Sequence, residues 1–426
     1  MSQAYKRYVL SILTAIPALT LLDINLLGLI SQPIKEEMHL SDSELGFLNG
    51  VAFSVFYAAL TLPVGRWVDR GGNRVNISSI CIGLWGITVM ACLLVTNFAQ
   101  LVASRIAAGI GESGCWPATY SLVGDYFPAP AERTRAMTIY NLANPLPILV
   151  SLILGGWLNE HYGWRLALFV MGIPGLLIAA LIKMTVKEPR AEVGAVQVSP
   201  PQYPRASQVL SALWSQKSSR NLIIAIVLVF TVNWGMAPWF AAFMIRTHAV
   251  GTTELGIWMG LIGGIGGMAG VLSGGYVVDR WFGADERSQV RLCALMIGLQ
   301  FPCYALLLFL PQKHQALLAY VPLVLVGNFI YGPAFALMQR LVVDQLRATT
   351  LAVVMVLVNL IATGAGPQVV GILSDLLQPR FGNESLRYAM LVFSLVALWA
   401  AHHFWQVGRT VERDLSATAH PAMIGG

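Results

Sequence analysis

The chain has 426 residues, of which 56% are hydrophobic and only 11% charged, with five cysteines and a formal net charge of +6. A soluble domain carries about 25% charged residues, so this composition excludes a water-soluble globular protein and identifies an integral membrane protein. The basic residues are scattered over short loops rather than gathered into a patch, so no nucleic-acid partner is expected.

A membrane-spanning helix needs about 20 predominantly apolar residues. Twelve such stretches are predicted, at 8–30, 46–66, 76–95, 99–123, 136–158, 165–185, 221–243, 255–277, 289–310, 317–340, 351–374 and 387–408. The first is too long for a signal-peptide core and is followed by acidic residues, so it reads as a span. The longest polar interruption, 187–220, carries Pro189, Pro200, Pro201 and Pro204 and reads as a cytoplasmic linker. The expected domains are a six-helix bundle over 1–186, the linker 187–220, a second six-helix bundle over 221–408, and a short tail, 409–426, with no assigned role. With both termini inside, 20 of the 27 lysines and arginines fall in inner segments, 6 in outer ones, and Arg105 within a span. That asymmetry sets the orientation by the positive-inside rule. The cysteines Cys81, Cys92, Cys115, Cys293 and Cys303 lie in apolar stretches without metal-ligand spacing and read as packing residues.

The hexapeptide GRWVDR at 65–70 returns as GYVVDR at 275–280, an offset of 210 residues, each copy closing an apolar stretch. Weaker echoes pair Asn141-Leu142 before Gly155 with Asn359-Leu360 before Gly371, and Asp125 with Asp344. The predicted fold class is therefore an all-α membrane protein with twelve transmembrane helices in two pseudo-symmetric six-helix bundles, the architecture of many secondary transporters. At the repeated motif, Asp69 can accept backbone N–H groups of a neighbouring helix and pair with a basic residue, while Gly65 lets a helix approach closely.

Ionisable groups deep in lipid are costly and normally face a cavity and a partner. Asp23 in span one and Arg105 and Glu112 in span four stand out. The seven-residue spacing of Arg105 and Glu112 is close to two helical turns, so both face one side. Straight helices place Asp23 at a depth between them. The reading is a proton-sensitive cluster in which Arg105 pairs alternately with Asp23 and Glu112, loading and releasing a proton as the bundle rocks. The alternative is a static ion network that fixes packing. Amides (Asn49, Asn141, Asn144, Asn233, Gln300, Asn328, Asn359) and aromatics (Trp116, Trp234, Trp239, Tyr140, Tyr331) within apolar helices suit an amphipathic organic solute. The Asn233 and Trp234 pair beside Pro238 is the strongest cavity candidate of this group, with interhelical hydrogen bonding and packing the alternative for each residue.

Gly65, Asp69, Arg70, Gly71 and Arg74 resemble the signature loop of the major facilitator superfamily, and Arg105 with Gly109 resembles its fourth-span arginine motif. LLDIN at 21–25, PIKEEMHLSDSELGFLNGVAFSVFYA at 33–58, RIAAGIGES at 105–113, GGW at 155–157, GWRLALF at 163–169 and SLRYAM at 385–390 are similar to the bacterial Spinster-like branch. The resemblance covers nearly the whole chain. It implies the major facilitator fold and a cytoplasmic gate formed by Gly65, Asp69, Arg70, Arg74 and Asp125, with Gly275, Asp279 and Arg280 in the second half. That gate would latch the inner side shut in the outward-open state. Lysolipid or sphingoid-like substrates are one implication, and small organic acids are equally open. The chain departs from the branch at Ile24, where relatives carry arginine after the aspartate, and in span five, where Asn144, Pro145, Leu146, Pro147 and Ser151 replace spaced glycines. Paired prolines predict a kink there.

Enzyme motifs are lacking: there is no HExxH, no phosphate loop and no nucleophile elbow. The GxGxxA run at 264–269 lies inside a span and reads as close helix packing. No metal or cofactor is expected. The expected function is secondary active transport of an amphipathic organic solute with proton coupling, by a monomer in the bacterial inner membrane with cytoplasmic termini. A membrane sensor that retains the fold without turnover is the alternative.

Overall fold

A computed structural model describes residues 2–142, 145–189, 211, 213–283, 285–342 and 346–419. Every regular element among the described residues is a helix, and helices occupy all twelve predicted stretches. They are α1 (Gln3–Met38), α2 (Asp42–Asn49), α3 (Val51–Asp69), α4 (Arg74–Ala91), α5 (Phe98–Glu112), α6 (Cys115–Tyr126), α7 (Pro130–Leu142), α8 (Pro145–Tyr162) and α9 (Trp164–Thr185). Then follow α10 (Lys217–His248), α11 (Thr252–Leu261), α12 (Gly267–Trp281), α13 (Glu286–Phe309), α14 (Lys313–Phe329), α15 (Tyr331–Arg340), α16 (Arg347–Leu357), α17 (Gly366–Phe381) and α18 (Ser385–Ala419). Nine helical stretches among the described residues are long and apolar enough to cross a membrane, and one of them, 349–416, contains two predicted spans.

Several spans are jointed where straight helices were expected. Span two breaks at Gly50, between α2 and α3, and span four breaks at Ser113 and Gly114, directly after Glu112. Spans eight and eleven each contain a π-helical turn, at Ile262–Gly266 and Val358–Ala365. In span five α7 ends at Leu142 and α8 starts at Pro145, and the predicted proline kink adjoins residues 143 and 144, which lie outside the described residues. Asn144 lies outside the described residues, as do Arg190, Pro200, Pro201, Pro204, Arg205 and Asp344; so do the side chains of Asn141, Pro145 and Pro147.

By contact density the chain divides into two compact units, 1–201 with 244–264, and 202–243 with 265–426. The last turn of α10 and the whole of α11 thus belong with the first unit. Their packing shows why. A Cβ at Gly156 would lie 2.3 Å from the Thr252 carbonyl, and one at Gly256 would lie 2.0 Å from that of Leu152, so α8 and α11 touch backbone to backbone. Thr252 Oγ1 donates to Gly156 O at 2.9 Å and accepts from Asn159 Nδ2 at 3.0 Å. The GGW triplet is a helix-packing element.

Each unit presents large apolar side chains outward, among them Leu62, Ile80, Leu94 and Met184 in the first and Leu272, Leu295 and Leu376 in the second. Such a surface matches acyl chains rather than water. Trp67, Tyr162, Tyr276 and Trp281 are exposed near helix ends, the position of an interfacial aromatic belt. In the second unit Asp414, buried near the end of α18, accepts from the backbone N–H of Ser218 at 2.9 Å and so caps α10. The tail, which has no role assigned from sequence, thus anchors the start of span seven through Asp414.

Candidate functional site

In the first unit, α1 carries Asp23 and α5 carries Arg105, and both are buried. Arg105 Nη1 donates to Asp23 Oδ2 at 2.7 Å, and the guanidinium lies 5.5 Å from the centre of the Phe53 ring. Close packing of glycines brings α5 to this position. A Cβ at Gly109 would lie 2.6 Å from the Phe53 carbonyl of α3, and one at Gly111 would lie 2.8 Å from Trp85 N of α4. The AGIG run thus lets α5 press against two helices at once.

Glu112 ends α5, is 2% exposed, and interacts electrostatically with both Asp23 and Arg105. Three polar atoms of this cluster are buried without a hydrogen-bond partner: Asp23 Oδ1, Arg105 Nε and Glu112 Oε1. A buried carboxylate lacking a partner is expensive, and protonation removes most of the cost. Asp23 holds the cation in this structure, and Glu112 stands beside the pair as a second claimant.

At the signature loop the predicted gate residues separate into two groups. Arg74, at the start of α4, is wholly buried and bonds Asp125 Oδ2 at 2.7 Å, Ser121 Oγ at 3.0 Å and Glu188, whose Oε2 accepts from Arg74 N at 2.7 Å. Asp69 and Arg70 are exposed and join no ion pair among the described residues. Among the described residues a Cβ at Gly65 would meet only Pro117 Cβ, at 4.0 Å, so no close backbone approach is seen there. In the second unit Asp279 and Arg280 are likewise exposed, and the close contact falls one residue before the motif glycine. A Cβ at Gly274 would lie 1.8 Å from Phe329 O, whereas one at Gly275 meets nothing within 4 Å among the described residues.

The predicted cavity residues also sort themselves. Asn49, Asn328 and Asn359 each donate to the carbonyl four residues back on their own helix, and Trp239 Nε1 donates to Pro367 O at 3.0 Å. These are internal packing groups. Asn49 also exchanges hydrogen bonds with Ser31 of α1, and Asn233 joins three other residues across helices: its Nδ2 donates to Gly327 O at 3.1 Å and to Tyr331 Oη at 3.2 Å, and its Oδ1 accepts from Gln300 Nε2 at 2.7 Å. Trp234 stands 39% exposed beside it.

Sequence reasoning passed over several ion pairs at helix ends. Glu188 closes the Arg74 site. Glu37 accepts from Trp164 Nε1 at 2.7 Å and pairs with Arg165, which itself stacks 4.2 Å over Trp164, so the GWR triplet clamps the end of α1 to the start of α9. Gly163, with φ of +83°, makes the turn into that clamp. Asp42 is gripped by both guanidinium nitrogens of Arg246, at 2.9 and 2.6 Å, and by Lys35. The family-like segments at 33–58 and 163–169 contain Lys35, Glu37, Asp42, Trp164 and Arg165, whereas Glu188 and Arg246 lie outside them, and none of the pairings was visible.

Among the described residues no group of histidine, cysteine or acidic side chains has the arrangement of a metal site. The profile of the Major Facilitator Superfamily matches residues 13–367. An "MFS-type efflux pump" of Mycolicibacterium smegmatis is 28% identical over 95% of this chain and 93% of that protein. "Protein spinster homolog 1" of Xenopus laevis is 25% identical over 96% of this chain and 82% of its own length. Among solved structures, a bacterial homologue of the human lysosomal transporter Spinster, inward-facing and unoccupied, superposes with a TM-score of 0.84 at 24% identity, covering 97% of this chain and 99% of the other.

Proposed function

The chain belongs to the major facilitator superfamily, and from that premise we propose that it is a proton-coupled secondary transporter of an amphipathic organic solute, lysolipid-like or an organic acid. The observation that carries the coupling is the buried Asp23–Arg105 pair at 2.7 Å with Glu112 beside it, its Oε1 without a partner. With Glu112 protonated and neutral, Arg105 stays with Asp23. Loss of that proton gives Glu112 a charge that competes for the guanidinium, so Asp23 is released and becomes the next proton acceptor. Proton occupancy and cation position are thereby linked, and alternating access needs such a link to couple two fluxes.

The Mycolicibacterium relative, an efflux pump by name, favours export in exchange for protons. The excess of basic residues in the segments read as inner supports cytoplasmic termini and an inner-membrane location. The exposed Asp69, Arg70, Asp279 and Arg280 serve as the released half of the cytoplasmic latch, and Arg74 with Asp125 and Glu188 as its fixed base. A panel of lysophospholipids and aromatic acids presented to proteoliposomes under an imposed pH gradient tests the function. Saturable solute flux with stoichiometric proton movement is expected. Saturable binding without flux supports a sensor instead.

A further inference from the structure

The offset of 210 residues that separates the two GxxxDR motifs also carries Asp23 onto Asn233. Where the first unit sets an ion pair, the second sets a chain of neutral donors. Gln300, wholly buried on α13, donates to Asn233 on α10, and Asn233 donates on to the hydroxyl oxygen of Tyr331, at the head of α15. Gly327 makes the crossing possible, because a Cβ there would lie 2.5 Å from Gln300 Nε2 and 3.0 Å from Asn233 Oδ1. The side chain of Trp234 neighbours the same Tyr331 hydroxyl.

The Asn233 N–H given to the phenolic oxygen occupies acceptor capacity and strengthens the hydroxyl as a donor. No acceptor for the Tyr331 proton is found among the described residues. Gln300 Oε1 is also buried without a partner, a second polar atom here left unsatisfied by the protein. Around the hydroxyl lie aromatic rings. Phe230 stacks on Tyr331 with centroids 4.8 Å apart and meets Trp234 and Phe335 edge-on at 5.6 and 6.1 Å. Phe230 is buried, Tyr331 and Phe335 are half-buried, and Trp234 presents an exposed surface. No charged side chain acts on Tyr331 among the described residues.

We propose that the Tyr331 hydroxyl is a solute-binding donor that takes a neutral acceptor oxygen, a carbonyl or ether, of an amphiphile whose apolar portion lies along the Trp234 and Phe335 rings. A ledge with donors, flat rings and no cation selects a neutral oxygen over a carboxylate or phosphate at this point of the solute. The proposal rests on the transport reading for its purpose, but its test needs binding alone.

The test uses the full-length protein in nanodiscs and two naphthalene probes, 6-propionyl-2-dimethylaminonaphthalene and its parent 2-dimethylaminonaphthalene without the ketone, with empty nanodiscs subtracted. The wild type is expected to bind the ketone about tenfold more tightly, the scale of one neutral hydrogen bond that would otherwise be unmade. Tyr331→Phe, which keeps the ring, should erase that preference by weakening only the ketone. Trp234→Ala should weaken both probes together. Equal affinity of wild type and Tyr331→Phe for the ketone, no preference in the wild type, or no saturable binding of either probe would overturn the assignment. Correct discrimination without any flux in proteoliposomes would leave this site standing and sink the transport reading.

Discussion

Arg105 is held by one carboxylate, and the price of losing it is high because the cation sits in apolar surroundings with its Nε already unpartnered. Removing one member of a buried ion pair costs about 3–5 kcal/mol, whereas replacing both by neutral groups costs far less. In a Glu112→Gln background, which removes the competing carboxylate, Asp23→Asn is therefore expected to lower the thermal midpoint in detergent by more than the double change Asp23→Asn with Arg105→Gln. Asp23→Asn as stable as that background would show that the pair is not buried in the working protein. Residue identity here was legible: the rarity of charge in 56% hydrophobic sequence pointed to Asp23, Arg105 and Glu112. Their partnership was half legible. The seven-residue spacing put Arg105 and Glu112 on one face, but which carboxylate holds the cation depends on the packing of α5 against α3 and α4, and no pattern within one helix encodes that.

At the scale of elements, the duplicated glycines gave a clear motif and a misplaced contact. Helical periodicity fixes the face a residue occupies only to within one position, and in the second unit the neighbouring helix meets Gly274 rather than the motif's Gly275. Gly274→Ala is expected to destabilise by about 1–3 kcal/mol through overpacking against Phe329 O. Gly275→Ala, with open space around it, should match the wild type in thermal unfolding. The reverse ranking would place the contact back on the motif glycine. The joints in spans two, four, eight and eleven were not read from the sequence, since apolar composition is the same on either side of a break. Gly50, Gly114 and the GGIGG run were the available signals.

The start of α11 offers a pH test at the same scale. Glu160 accepts from the Thr253 backbone N–H at 2.7 Å, and this bond to the helix N-terminus holds its carboxyl below the ordinary carboxylate range. A depressed folded value means the stabilising contact is fully present above the unfolded carboxylate pKa of about 4.3 and is lost as pH falls through the folded value. Hydrogen exchange at the first amides of α11 should be flat with falling pH down to that range, after allowance for intrinsic rates, and then lose protection. Glu160→Gln should remove the pH step. A step that survives in Glu160→Gln would assign it to another group.

For the whole molecule, the repeat makes the fold readable, while the two repeats differ in the polar groups they set at matching places. The Arg74 site illustrates it. In the first unit a cation at the head of α4 binds acids on α6 and after α9, whereas in the second an acid at the head of α13, Glu286, binds Arg340 at the end of α15. The polarity is exchanged and the mechanical link retained. Likewise Asp23 becomes Asn233, and the proposed proton chemistry falls in the first unit and the proposed neutral recognition in the second.

The most direct measurement compares two modes of transport by Glu112→Gln in proteoliposomes, using a solute identified by the panel. The account predicts that gradient-driven flux is lost while solute-for-solute exchange at zero pH gradient continues, because a permanently neutral residue 112 keeps the site but cannot exchange a proton. Gradient-driven flux at the wild-type rate would contradict it, and proton coupling would then have to lie outside the Asp23, Arg105 and Glu112 cluster.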